Sequence, residues 1–105
     1  MGYIKTDDLI DHLIYAGATQ YSWWHEVSED GKTITLAIDD PADDDNDPIE
    51  KTVSIGEARR VIASIIKNQK SGWQHIKRAM DDEDFDANDA DIVLQYLVLG
   101  ELTYA

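Results

Sequence analysis

The chain is predicted to adopt an α+β fold: an antiparallel sheet of three strands, with residues 102–104 as a candidate fourth, packed on one face by three to four helices. Three observations carry this expectation. Residues 21–38 alternate in strand fashion about an Asp30-Gly31 turn; residues 6–16 and 54–67 repeat their apolar positions at helical spacing; and residues 86–100 hold the most apolar run, begun by acids and closed by Gly100. With 105 residues, 43% of them hydrophobic, the chain reads as a single domain over residues 1–105 with a modest core.

The C-terminal run organises the rest. Asn88 or Asp89 is the expected cap, Asp91 lies near the positive end of the helix dipole, and Gly100 suits a left-handed stop. Ile92, Val93, Tyr96, Leu97 and Leu99 leave few polar positions beyond Gln95, so this helix should be buried and the other elements should pack around it.

In chain order, Thr6 is the expected N-cap of a first helix, with Asp7 and Asp8 in its first turn and Gly17 at its end. Leu9, Ile10, Leu13 and Ile14 form its buried face, and His12 beside them reads as a surface or helix-packing residue rather than a ligand. Tyr21–Val27 is read as a strand, which places Trp23 and Trp24 on opposite faces. Thr33–Ile38 pairs back with it through the Asp30-Gly31 turn. Residues 39–48 carry repelling aspartates between two prolines and are expected to form an exposed, mobile acidic loop. A third strand over Ile49–Ile55 leads into a capping box of Ser54 and Glu57, and the helix after it should bury Ala58, Val61, Ile62, Ile65 and Ile66. Ser71-Gly72 breaks that helix, Trp73–Met80 resumes with Trp73, Ile76 and Met80 on one side, and Asp81–Asp86 links to the final helix.

Charge is the dominant compositional feature: 22 acidic residues against 9 basic give a formal net charge of −13. Six of the nine basic residues lie between 59 and 78, where there is no acid, so that segment carries +6 and the remainder −19. Such a layout attracts basic partners and repels nucleic acid over most of the surface.

Several functions are set aside. The absence of cysteine removes disulfides, thiolate metal sites and cysteine nucleophiles. No segment has the length of a membrane span, and Asp7, Asp8 and Asp11 stand where a signal peptide needs an apolar stretch, so a soluble cytoplasmic protein is expected. Asp43, Asp45 and Asp47 match the acidic positions of a calcium loop, but Pro48 and Ser54 fail its glycine and glutamate positions; Asp82, Asp84 and Asp86 fail likewise at Ala87 and Val93. His12, His25 and His75 have no metal-ligand spacing, no serine sits in a nucleophile elbow, and no glycine-rich phosphate loop exists. No catalytic residue, metal or cofactor is expected, and the chain is read as a non-enzyme.

Two sets of binding residues stand out. The acidic set is Asp43, Asp44, Asp45 and Asp47 in the loop with Asp81, Asp82, Glu83, Asp84 and Asp86 before the last helix, the second run being the better candidate because it adjoins the main helix. The alternative set, Arg59, Arg60, Lys67, Lys70, Lys77 and Arg78 with Trp73, would bind nucleic acid by charge and stacking, a reading that the whole-molecule charge opposes.

Gly17-Ala18-Thr19-Gln20-Tyr21-Ser22-Trp23-Trp24 resembles the glycine-then-Tyr/Trp segment of small proteins from actinobacterial and other bacteriophages. The C-terminal stretch Asp86–Gln95, continued by Gly100-Glu101-Leu102-Thr103-Tyr104, is similar to that family's acidic cap, apolar helix and closing aromatic strand; the sequence departs from it at Ser22 and Ala105. The resemblance implies a phage or mobile-element origin, hence a host cytoplasm, and brings no activity with it. The expected function is that of an accessory protein whose acidic face binds and modulates a basic host or phage protein, in its sharpest form as a nucleic-acid mimic in host takeover or counter-defence. A structural or assembly role, including a homodimer pairing basic and acidic segments, is the alternative, with direct nucleic-acid binding third.

Overall fold

The computed structural model describes residues 4–43 and 45–104. Its elements are α1 (Thr6–Ile14), a 3₁₀ turn (Ala18–Gln20), β1 (Trp24–Glu29), β2 (Thr33–Ile38), β3 (Ile49–Ser54), α2 (Ile55–Lys67), α3 (Trp73–Asp82) and α4 (Ala87–Leu99). The strands form an antiparallel sheet in the order β1-β2-β3, and with the four helices they make the expected α+β fold.

Alternation along β2 sets the layers. Ile34, Leu36 and Ile38 are fully buried under the helices, with Val53 opposite Ile34 on β3. Thr35 points the other way and shares a hydroxyl hydrogen bond with Thr52 across the strands, at 3.1 Å. The hairpin closes as expected. The Asp30 carboxylate accepts the backbone N–H groups of Lys32 and Thr33 at 2.9 and 2.7 Å, and these donors hold its carboxyl below the usual range.

The last helix lies at the centre. α4 touches α1, α2, α3, β2 and β3, and its residues 91–97 are buried without interruption. Its surroundings leave it no solvent face along that stretch, which accounts for its unbroken apolar sequence.

Several boundaries differ from expectation for local reasons. Thr6 is the first residue of α1 and Lys5 occupies the cap with no side-chain bond, so the helix N-terminus relies on Asp7 and Asp8. α1 stops at Ile14, and Gly17, at φ 108°, turns the chain into the 3₁₀ segment. That turn continues through Tyr21, whose carbonyl accepts the Trp24 N–H, so β1 starts three residues later than its aromatic alternation suggests. β3 ends at Ser54, whose hydroxyl accepts the Glu57 N–H as the cap of α2; Val61 and Ile66 sit at the rim of the core, half-buried. α4 is capped by Asp86, in a reciprocal box with Asp89, ahead of the expected Asn88 or Asp89. Leu102–Tyr104 forms no strand, because the side chain of Gln95 takes up its backbone groups.

The described residues of the acidic loop make local turns. The Asp40 and Asp43 carbonyls accept the N–H groups of Asp43 and Asn46, and the Asp40 and Asp43 carboxylates accept those of Ala42 and Asp45.

Candidate functional site

The acidic and basic candidates are treated differently by the fold. Asp43, Asp45 and Asp47 are exposed on the loop, and Asp44 lies outside the described residues. The second acidic run is largely committed to structure. Asp81 and Asp82 belong to α3, where Asp81 pairs with Lys77 at 2.7 Å and Asp82 faces Arg78 at 3.8 Å. Glu83 ends that helix with φ 51°, Asp86 caps α4, and Phe85 between them is buried; Asp84 is exposed. Asp81 and Asp82 are thus paired on the surface of α3 and Asp86 serves as a cap, while Glu83 and Asp84 are exposed.

Several basic residues also bind groups of the fold from its surface. Arg59 donates to the Ile4 carbonyl at 2.6 Å, and Lys51 reaches the Leu97 carbonyl at the C-terminal end of α4 at 3.1 Å. Lys70 stands over the Tyr96 ring, 5.7 Å from its centroid. Arg78 also binds Asp89, which is fully buried, at 2.8 Å. Arg60 and Lys67 remain on the exposed side of α2, and Trp73 is partly buried against the core. In the segment 59–78, Arg60, Lys67, Lys77 and Arg78 are thus exposed while Trp73 is half-buried.

The most organised polar centre was not among the candidates. Asp91 Oδ1 accepts the indole N–H of Trp23 at 2.8 Å and that of Trp24 at 2.7 Å. The two indoles converge because residues 21–23 form a turn and the β1–β2 register shifts between Trp24 and Glu26, so strict alternation does not place them on opposite faces. Asp91 Oδ2 accepts Gln95 Nε2 at 2.9 Å, one helical turn on. Gln95 passes the network to the tail: its Oε1 accepts the Thr103 and Tyr104 N–H groups, and its Nε2 donates to the Tyr104 carbonyl. Trp23 lies stacked between Tyr21 and Tyr104, with ring centroids 4.9 and 5.3 Å away. The Tyr104 hydroxyl donates to the Asp39 carbonyl at 3.1 Å, where the acidic loop begins.

A signal for this centre existed in the sequence. An aspartate and a glutamine spaced i, i+4 on a helix with no room for a polar face must find partners inside the protein, and indole N–H groups are donors that hydrophobic surroundings supply.

Beside this network is a cleft of 280 Å³ between the start of α3, the first turns of α4 and the tail. Asp91, at 2% exposure, lines it together with His75, Asn88, Ile92, Leu102 and Tyr104. Its walls are pinned: the Tyr96 hydroxyl donates to the Ser71 carbonyl at 2.9 Å, and the Gln95 amide holds the tail. Burial pushes the Tyr96 phenol up from its ordinary pKa, which keeps it a neutral donor.

Among the described residues, no group of three or more His, Cys, Asp or Glu side chains is placed to hold a metal ion. No helix among them is long and apolar enough to cross a membrane. In comparisons with protein-family models, curated proteins and solved structures, nothing matches the chain.

Proposed function

We propose that the chain is a small acidic binding protein that engages a basic protein of its host, or of the mobile element that carries it, through the folded loop of residues 39–47, and modulates that partner. One observation carries the reading: the cations at Lys51, Arg59, Lys70, Lys77 and Arg78 are engaged within the fold, while the loop carboxylates of Asp43, Asp45 and Asp47 face solvent. The net charge of −13 therefore acts outward. The hydrogen bonds that the Asp40 and Asp43 carboxylates accept from Ala42, Asp45 and Asn46 support the reading, since a decoy for phosphates requires carboxylates at a held spacing.

The test compares the native chain with an Asp43→Asn, Asp45→Asn, Asp47→Asn variant as baits in a lysate of the cells in which the chain is made, eluted with a salt gradient. The reading expects a basic protein held by the native bait, released by about 0.5 M salt as screening would demand, and lost from the variant. Equal capture by both baits, or recovery of nucleic acid, overturns it. Recovery of the chain itself would move the assignment to assembly.

A further inference from the structure

We propose that the cleft beside Asp91 is a binding site for a primary ammonium group carried on a short apolar stem, as in an alkylamine or a lysine side chain. The argument starts from an uncompensated charge. Asp91 is 2% exposed, yet none of the ion pairs among the described residues involves it. Its partners are three neutral N–H donors, two indoles on Oδ1 and the Gln95 amide on Oδ2. Donors of that kind suit an ionised carboxylate, and a buried carboxylate is ordinarily matched by a cation.

An ionised carboxylate offers about four acceptor positions, three donors use three of them, and Asp91 is among the residues that line the cleft. One position fits a point-like ammonium better than a guanidinium, whose fork seeks two parallel acceptors. The rest of the lining matches the same group. Asn88, Ile92, Leu102 and Tyr104 share the lining: an amide oxygen can accept a second ammonium proton, the aliphatic side chains suit an apolar stem, and an aromatic ring is compatible with a nearby cation. A cleft of 280 Å³ is large enough for such a stem and too small for a folded peptide segment.

This site is separate from the loop carboxylates and is tested without any protein partner. The intact ¹⁵N-labelled chain is titrated with n-butylammonium chloride, with n-butanol and sodium chloride as controls, and the indole N–H signals of Trp23 and Trp24 are followed. The proposal expects both indole signals to shift saturably with a dissociation constant on the order of millimolar, as suits five heavy atoms, and butanol to bind at least about tenfold more weakly. Indole signals that move no more than with sodium chloride, or equally with butanol, overturn it. N-acetyl-lysine methylamide distinguishes the sources: if it binds as butylammonium does, a protein side chain is the fitting ligand, and if it does not, free amines are. The corresponding arginine amide should bind more weakly than the lysine amide; the reverse contradicts the single-acceptor argument.

Discussion

Trp24 and Asp91 lie 67 positions apart in the chain and meet through an indole N–H to carboxylate hydrogen bond of 2.7 Å inside the protein. That bond joins the first strand to the central helix, and the same carboxylate oxygen takes the neighbouring indole of Trp23. Removing the acceptor should therefore be costly. Asp91→Ala would leave two indole N–H groups and the Gln95 amide short of a partner, and a loss of about 3 kcal/mol is expected. This would appear as a melting temperature lower by roughly 12 °C or more. Asp91→Asn, which keeps one acceptor oxygen, should cost less than half as much. Equal melting temperatures for the native chain and Asp91→Ala would contradict the network.

Gln95 should act mainly on the tail. In Gln95→Ala the N–H groups of Thr103 and Tyr104 lose their acceptor. Their hydrogen exchange is expected to rise to the rate of an open chain, with a global cost of about 1–2 kcal/mol. Slow exchange retained at both positions would show that stacking on Trp23 alone holds the tail.

Arg78 should matter in a pH-dependent way. Burial, reinforced by the charge of Asp86, holds the Asp89 carboxyl above its usual range, and Arg78 opposes that shift. A raised carboxyl binds its proton in the folded protein over a window in which the unfolded chain has released it. Its contribution to stability is therefore highest at low pH and declines as pH rises through the folded value. Arg78→Ala removes the compensating cation from a half-exposed position, so a cost of about 1–2 kcal/mol is expected at pH 7. The cost should shrink on acidification through the raised folded value, where Asp89 takes up its proton. Urea unfolding across that range checks it, and a cost that grows on acidification would contradict the assignment.

Gly72 defines one wall of the cleft. It has φ 85°, and a Cβ added there would stand 3.2 and 3.3 Å from two Ile92 carbons. Gly31 has a similar φ of 91° with open space around it. Gly72→Ala should accordingly destabilise more than Gly31→Ala, which costs only the backbone strain of about 1 kcal/mol. Thermal melts of the two variants measure the difference, and equal losses would mean that Ile92 moves aside freely.

Much of the framework was readable from the chain. The apolar run ending at Gly100, the Asp30-Gly31 hairpin and the Ser54 cap each state their structure through local chemistry, and each is found in place. The polar centre was harder to read because its partners come from distant segments. Asp91 looks like a dipole residue, and Gln95 stands as a lone polar position in a buried helix with nothing nearby in sequence to name its partners. Trp23 and Trp24 look like opposite faces of a strand until the preceding 3₁₀ turn delays that strand and a register shift follows. The acidic runs looked alike in sequence and differ in the fold because Lys77 and Arg78 stand one helical turn before Asp81 and Asp82. No such cations precede the loop aspartates, which turn to backbone N–H groups and solvent instead.

The central claim is that one buried carboxylate, Asp91, gathers both indoles of the Trp23-Trp24 pair and sets the chemistry of the cleft beside them. Hydrogen exchange of the three indole N–H groups, followed by NMR in the intact chain, tests it most directly. The account predicts that the Trp23 and Trp24 signals resonate downfield and exchange slowly, and that both lose protection in Asp91→Ala relative to Trp73 in the same sample. Indole protons of Trp23 and Trp24 that exchange as fast as a solvent-exposed tryptophan would contradict it.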